Sequence, residues 1–196
     1  MNGMTNKRHT IDPARHYASR GVTLIELVVV MGIVGILMAI GIPSYKYVTN
    51  ANRISAEING LLGDLQYARS EAIKEGQTVS VCVSSDQATC VGATTTTWNN
   101  GWIVFSDPNG NGAVDAGDLV LRVQKPFTGT DTLNANNNVG VITFNREGFA
   151  SVTNGTLITL HAAPASQGST RCLSVTLVGL VTTLKYGGVN AGNTCT

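Results

Sequence analysis

The chain has 196 residues, 13 of them Lys or Arg and 12 Asp or Glu, giving a formal net charge of +1; 43% are hydrophobic, 13% charged, and 22 are glycine. That length suits one domain with an appendage, and so apolar and weakly charged a chain is not a disordered one. The near-neutral balance excludes a strongly basic nucleic-acid binder of the histone kind, and four cysteines without zinc spacing exclude a disulfide miniprotein.

The average hides two unlike parts. Lys7, Arg8, Arg15 and Arg20 against Asp12 give residues 1–21 a charge of +3, and the 9 basic and 11 acidic side chains that remain give −2. Residues 24–42 then form an apolar run in which Glu26 is the only charge. As a helix this run spans about 28 Å, close to the thickness of a bilayer core. Because the basic residues all precede it, the N-terminus is expected in the cytoplasm and residues 44–196 outside. No small-residue cleavage site follows Ile42, where Pro43, Ser44, Tyr45 and Lys46 stand, so the helix is expected to stay with the protein. A carboxylate inside such a segment costs a few kcal/mol and marks function unless it snorkels to the headgroups.

Arg20-Gly21-Val22-Thr23-Leu24-Ile25-Glu26-Leu27, followed by the apolar run and Pro43, resembles the class III signal of type IV pilins and type II secretion pseudopilins. The resemblance implies that a prepilin peptidase cuts on the cytoplasmic side between Gly21 and Val22 and N-methylates Val22. The usual first mature residue of that family is Phe, so Val22 is a departure. Glu26 becomes the fifth residue of the mature chain, with Pro43 at a helix-bending position. The resemblance also gives Glu26 a partner, the N-terminal amine of a neighbouring subunit. Pairing removes most of the penalty of a lone carboxylate in low dielectric and would fix subunit register.

Beyond Pro43 the helix continues. Ile54, Ile58, Leu61, Leu65, Ala68 and Ala72 recur at steps of three and four, while Arg53, Glu57, Asp64, Arg69, Glu71 and Lys74 fall largely off that stripe. Gly76 is the expected C-cap. Gly32, Gly35, Gly41 and Pro43 weaken the first half, and either permit close helix packing or let it bend on assembly. Residues 78–83, 101–105, 119–123, 141–144, 157–161 and 172–178 read as strands, with 94–97 and 134–138 as loops. The expected fold is α+β, one long N-terminal helix packed on an antiparallel β head. Its parts are a leader (1–21), a transmembrane or filament-core helix (22–43) and a periplasmic head (44–196).

Residues 65–72, residues 101–105 with Asp107, and residues 144–148 resemble the H-type pseudopilins and the FimT/FimU minor pilins. This implies a structural subunit of a type IV pilus, inserted near the tip to prime it, or an H-type pseudopilin of a type II secretion system. Its partners would be other pilin or pseudopilin subunits, the prepilin peptidase and the inner membrane. Some FimT-like relatives carry a basic C-terminal stretch that contacts DNA. A DNA-binding minor pilin for natural transformation is therefore a further alternative, but residues 179–182 here lack the arginines of that stretch and only Arg171 and Lys185 are basic past residue 150, so DNA is not an expected partner.

Cys82, Cys90, Cys172 and Cys195 allow three pairings, and an outward-facing head favours disulfides. Local loop closure favours Cys82–Cys90 with Cys172–Cys195. Asp107, Asn109, Asn111, Asp115 and Asp118 place oxygens at positions 1, 3, 5, 9 and 12 of a loop with Gly112 at position 6, which is the spacing of a calcium-binding loop. The competing reading is an Asx/Gly turn, and no other cofactor is expected. His161 is the one histidine outside the leader, and no nucleophile motif, phosphate loop or zinc cluster points to an enzyme.

Overall fold

An apolar residue every three or four positions gives a helix one face to bury, and that face organises the chain. The computed structural model describes residues 21–152, 155–163 and 167–196; most of the leader, residues 1–20, lies outside the described residues. Helix α1 runs Leu24–Glu75 with Pro43 in its interior. It ends at Gly76, whose φ of +69° and N–H bond to Ala72 O (3.0 Å) make the expected C-cap.

The chain divides into two units at Tyr45/Lys46. In the first, residues 21–45 are exposed throughout, and the helix there is long and apolar enough to cross a membrane. A Cβ added at Gly32, Gly35 or Gly41 would meet nothing within 4 Å.

Among its described residues the second unit holds the rest of α1 and ten strands: β1 (Val79–Val83), β2 (Trp102–Ser106), β3 (Val120–Gln124), β4 (Thr132–Ala135), β5 (Val141–Phe144), β6 (Thr156–His161), β7 (Arg171–Val175), β8 (Val181–Lys185), β9 (Val189–Asn190) and β10 (Asn193–Thr194). They form not one sheet but two antiparallel four-stranded sheets, β3-β2-β1-β5 and β4-β6-β7-β8, with a β9–β10 ribbon. The fold is α+β, a long helix on antiparallel sheets. Strand β4 takes residues 134 and 135, expected as loop, and the strand expected over 172–178 stops at Val175 in a turn.

The buried residues of α1 are Ile54, Ile58, Leu61, Leu65, Ala68 and Ala72, the same six as the stripe. They share one core with Val79, Val81, Trp98, Trp102 and Phe144 of the first sheet and its flank, and Leu133, Ile158 and Leu173 of the second. Each fully buried Leu or Ile contributes about 1.5–3 kcal/mol. Three of the charges that fall off the stripe tie α1 to the strands and their connections. Arg53 bonds Asp131 (2.7 and 2.9 Å), Asp64 accepts from Trp102 Nε1 (2.9 Å) and Arg122 (3.1 Å), and Arg69 donates to Gly148 O (2.9 Å) and Val178 O (3.1 Å).

Both sheets also bury part of their outer face. Cys82, Ile103 and Phe105 form a second cluster under Cys90 and Val114. Leu157, Cys172 and Cys195 form a third, against Leu184. The disulfides Cys82–Cys90 and Cys172–Cys195 lie in these two outer clusters.

Candidate functional site

Gly21 and Val22 are exposed and outside the helix, with nothing within 4 Å of a Cβ built on Gly21. An irregular, uncovered segment is what a peptidase needs, since a scissile bond must leave helical geometry to enter an active site. The helix begins immediately after it. Thr23 O accepts the first helical bond from Leu27 N (3.1 Å), and Thr23 Oγ1 accepts from Glu26 N (3.3 Å). Thr23 is therefore the N-cap and Glu26 stands at N3, the spacing of a capping box, of which the Thr23 side-chain bond is present. The Thr-x-x-Glu spacing could have revealed this from sequence. It gives Glu26 a local role at the positive end of the helix dipole besides any intermolecular one. The ion pairs among the described residues involve other side chains, so Glu26 offers an exposed carboxylate.

Residues 107–118 join β2 to β3. Asp107 is buried, and its carboxylate accepts from Ser80 Oγ (2.6 Å), Asn111 N (3.2 Å) and Gly112 N (2.9 Å). Asn109 Oδ1 accepts from Asn111 N (3.1 Å) and Asn111 Oδ1 from Ala113 N (2.8 Å). The amide groups of both asparagines donate to Asp115 (2.8 and 2.7 Å), which holds its carboxyl below the usual range, and Asp118 accepts from Asp115 N (2.8 Å). The five candidate calcium ligands are thus brought into one loop, but their oxygens close Asx-type turns within it. Gly110 and Gly112 supply the left-handed backbone (φ +68° and +72°) that these turns require. Val114 carries the loop onto the outer cluster of the first sheet. Among the described residues no three His, Cys, Asp or Glu side chains converge as a metal centre.

The loop closed by Cys82–Cys90 is also internally bonded. Asp86 accepts from the Thr89 hydroxyl and N–H, from Ala88 N and from Ser84 Oγ, and these bonds hold its carboxyl well below the usual range. The three landmark segments are drawn together. Arg69 from residues 65–72 bonds Gly148 of residues 144–148, and Trp102 meets Asp64, the residue immediately before that helical segment. Residues 179–182 fall in the β7–β8 turn and the start of β8. Arg171 and Lys185 stand opposite each other on β7 and β8, and the Arg171 guanidinium donates to Gly168 O (2.9 Å) and Thr170 O (2.8 Å).

A family model described as "Type II transport protein GspH" matches residues 57–179, and one described as "Prokaryotic N-terminal methylation motif" matches residues 17–42. Two Pseudomonas aeruginosa proteins named "Fimbrial protein" are each 36% identical over 85 residues, 43% of this chain and 54% of their own length. The chain thus spans about half the length of the curated relatives it matches. Crystal structures of the Pseudomonas aeruginosa type IV minor pilin FimU match at a TM-score of 0.46. One has 22% identity over 69% of this chain and 90% of its own, the other 20% over 71% and 89%.

Proposed function

Because the chain belongs to the GspH family of type II transport proteins, within the type IV pilin and pseudopilin group, we propose that it is a minor pilin that primes a type IV pilus near its tip. The observation that carries this reading is the methylation-motif match over residues 17–42 with Gly21, Val22 and Glu26 in place. A prepilin peptidase removes residues 1–21 at the Gly21–Val22 bond and methylates the Val22 amine. Residues 22–43 first anchor the chain in the inner membrane with the head outside, then enter the filament core.

Glu26 receives the Val22 amine of a neighbouring subunit. In low dielectric a lone carboxylate or ammonium is heavily penalised, and a contacting pair is much less so. A subunit one step out of register leaves both charges unpaired, so the pair selects the correct step. The head is structural rather than catalytic. Calcium has no part in this reading, because hydrogen bonds already close residues 107–118. Nor has DNA, because Arg171 and Lys185 are the only basic residues past residue 150 and make no clustered basic patch there. A second reading, an H-type pseudopilin of a type II secretion system, is favoured by the description of the matched family.

The test is deletion of the gene, complemented by wild type, Glu26→Gln or Glu26→Ala, with surface pili counted by electron microscopy and exoprotein release measured. Gln keeps the capping geometry and removes the charge. Since an unpaired partner in the membrane costs a few kcal/mol, Glu26→Gln should leave about tenfold fewer pili or worse. Full restoration by Gln would reduce Glu26 to a helix cap and sink the charge-pairing mechanism. Normal pili with lost exoprotein release would select the secretion pseudopilus.

A further inference from the structure

The apolar half of α1 ends on a ring of amphipathic side chains. Residues 22–44 contain no aromatic residue, and then Tyr45, Lys46 and Tyr47 follow in a row. All three are exposed, the tyrosines at 72% and 76%. Successive residues of a helix step about 100° around its axis, so these three point to three different sides. A face that packs on a sheet repeats at steps of three and four instead, as Ile54, Ile58 and Leu61 do, and the core takes its first residue of α1 only at Ile54. A ring rather than a stripe suits surroundings that enclose the helix on every side.

Lys46 gives the chemistry of those surroundings. Between Glu26 and Glu57 the charged residues are Lys46 and Arg53. Arg53 is bonded to Asp131, whereas Lys46 belongs to none of the ion pairs among the described residues. Its ammonium therefore calls for an anion from outside the chain. Spacing says where. Tyr45 lies 21 residues after Leu24, about 32 Å along a helix and just past a hydrocarbon core of about 30 Å. Tyrosine, an apolar ring with a polar tip, and lysine, an apolar stem with a charged head, are side chains that settle at that boundary.

We propose that Tyr45, Lys46 and Tyr47 form a girdle that binds phospholipid headgroups, with Lys46 on phosphate, and sets the depth of α1 in the bilayer.

The girdle deepens the reading of residues 22–43 as a membrane span and rests on it. Displacement is opposed in both directions. Moving outward bares two tyrosine rings to water, and moving inward strips water and phosphate from Lys46. Glu26 lies 19 residues before Tyr45, about 28 Å along the helix, so the girdle keeps its carboxylate at the opposite edge of the hydrocarbon. A subunit waiting for assembly then does not carry a lone carboxylate at mid-membrane.

The experiment puts a single added cysteine into the full chain, in bilayer discs of phosphatidylethanolamine and phosphatidylglycerol, and follows its alkylation by a water-soluble maleimide. The four native cysteines are paired and stay silent. A thiol reacts as its thiolate, which apolar surroundings suppress, so the rate reads depth. Ile42→Cys, just inside the girdle, should react slowly. Adding Tyr45→Ala with Tyr47→Ala should speed it about tenfold, because outward excursions no longer bare the rings. Tyr45→Trp with Tyr47→Trp, which keeps amphipathic rings there, should hold the slow rate. A rate left unchanged by the alanines, or raised as much by the tryptophans, would overturn the girdle. Nitrogen–phosphorus dipolar NMR of the lysine-labelled chain should place the Lys46 ammonium, and not that of Lys74 or Lys125, against lipid phosphate, and absence of that contact would refute headgroup binding. Val34→Cys, in the middle of the apolar run, tests the span by itself. If it reacts as fast as Thr49→Cys, the span fails and the girdle with it. If it stays silent while the alanines change nothing, the span stands and the girdle alone is refuted.

Discussion

Arg69 shows how much of the fold can rest on one side chain. It leaves the helix surface and holds the carbonyls of Gly148 and Val178, which sit on two different turns. Those turns touch where neither tolerates a side chain. Gly179 has φ +72°, and a Cβ there would collide with Gly148 O and press on Arg69 Nε (2.9 Å). Gly148 has φ +81°, and a Cβ built there would lie 2.8 Å from Ile73 Cδ1. Gly179→Ala therefore combines a left-handed backbone with a backbone clash that no rotamer relieves, and should cost about 2–3 kcal/mol. Urea unfolding of the full chain in micelles measures this. A loss below about 0.5 kcal/mol, the size of an ordinary surface substitution, would mean that the two turns separate freely.

At the scale of elements, α1 is the piece whose partner the sequence announces. Leu61 and Leu65 are fully buried between the two sheets, so Leu65→Ala opens a cavity on both sides of the core. Its expected cost is about 3–4 kcal/mol, read from the same unfolding curves, and a cost under about 1 kcal/mol would contradict the shared core. The stripe was legible because burial along one helical face leaves a local period. β1 and β2 were legible from runs of β-branched and aromatic residues. β4 and β8 were not, because Thr-Leu-Asn-Ala and Val-Thr-Thr-Leu-Lys are short edge strands with polar outward positions, made strands by β6 and β7 beside them. The strand expected through residue 178 stops early because Thr176 N bonds Leu180 O (3.0 Å) in a turn built on Gly179. The partners of Arg53, Asp64 and Arg69 leave no local pattern because they lie 38 to 109 residues away. The candidate site divides the same way. Gly21 and Glu26 lie five residues apart in sequence and are readable there, whereas the Arg53–Asp131 pair exists only once the β3–β4 connection has docked.

Over the whole molecule, the helix can cover only the inner faces of the two sheets, which leaves each with an apolar outer face to protect. Each disulfide lies at one of these faces. Cys82–Cys90 holds a loop beside Ile103 and Phe105, and Cys172–Cys195 holds the β9–β10 ribbon beside Leu157 and Leu184. The closed loops span 8 and 23 residues, so chain entropy assigns the bonds about 2.5 and about 3.4 kcal/mol respectively. Replacing both cysteines of the second pair by serine should therefore be the more costly change and should deprotect residues 187–196 in hydrogen exchange. Replacing the first pair should instead expose residues 102–106. The same bonds bear on topology, because a disulfide persists only where the compartment is oxidising. With the head outside the cytoplasm, all four cysteines in intact cells should resist a maleimide until a reductant and a denaturant are added. Ready labelling of all four under native conditions would place the head on the reducing side of the membrane. It would also break the link from basic leader to outward head on which the proposed filament assembly rests.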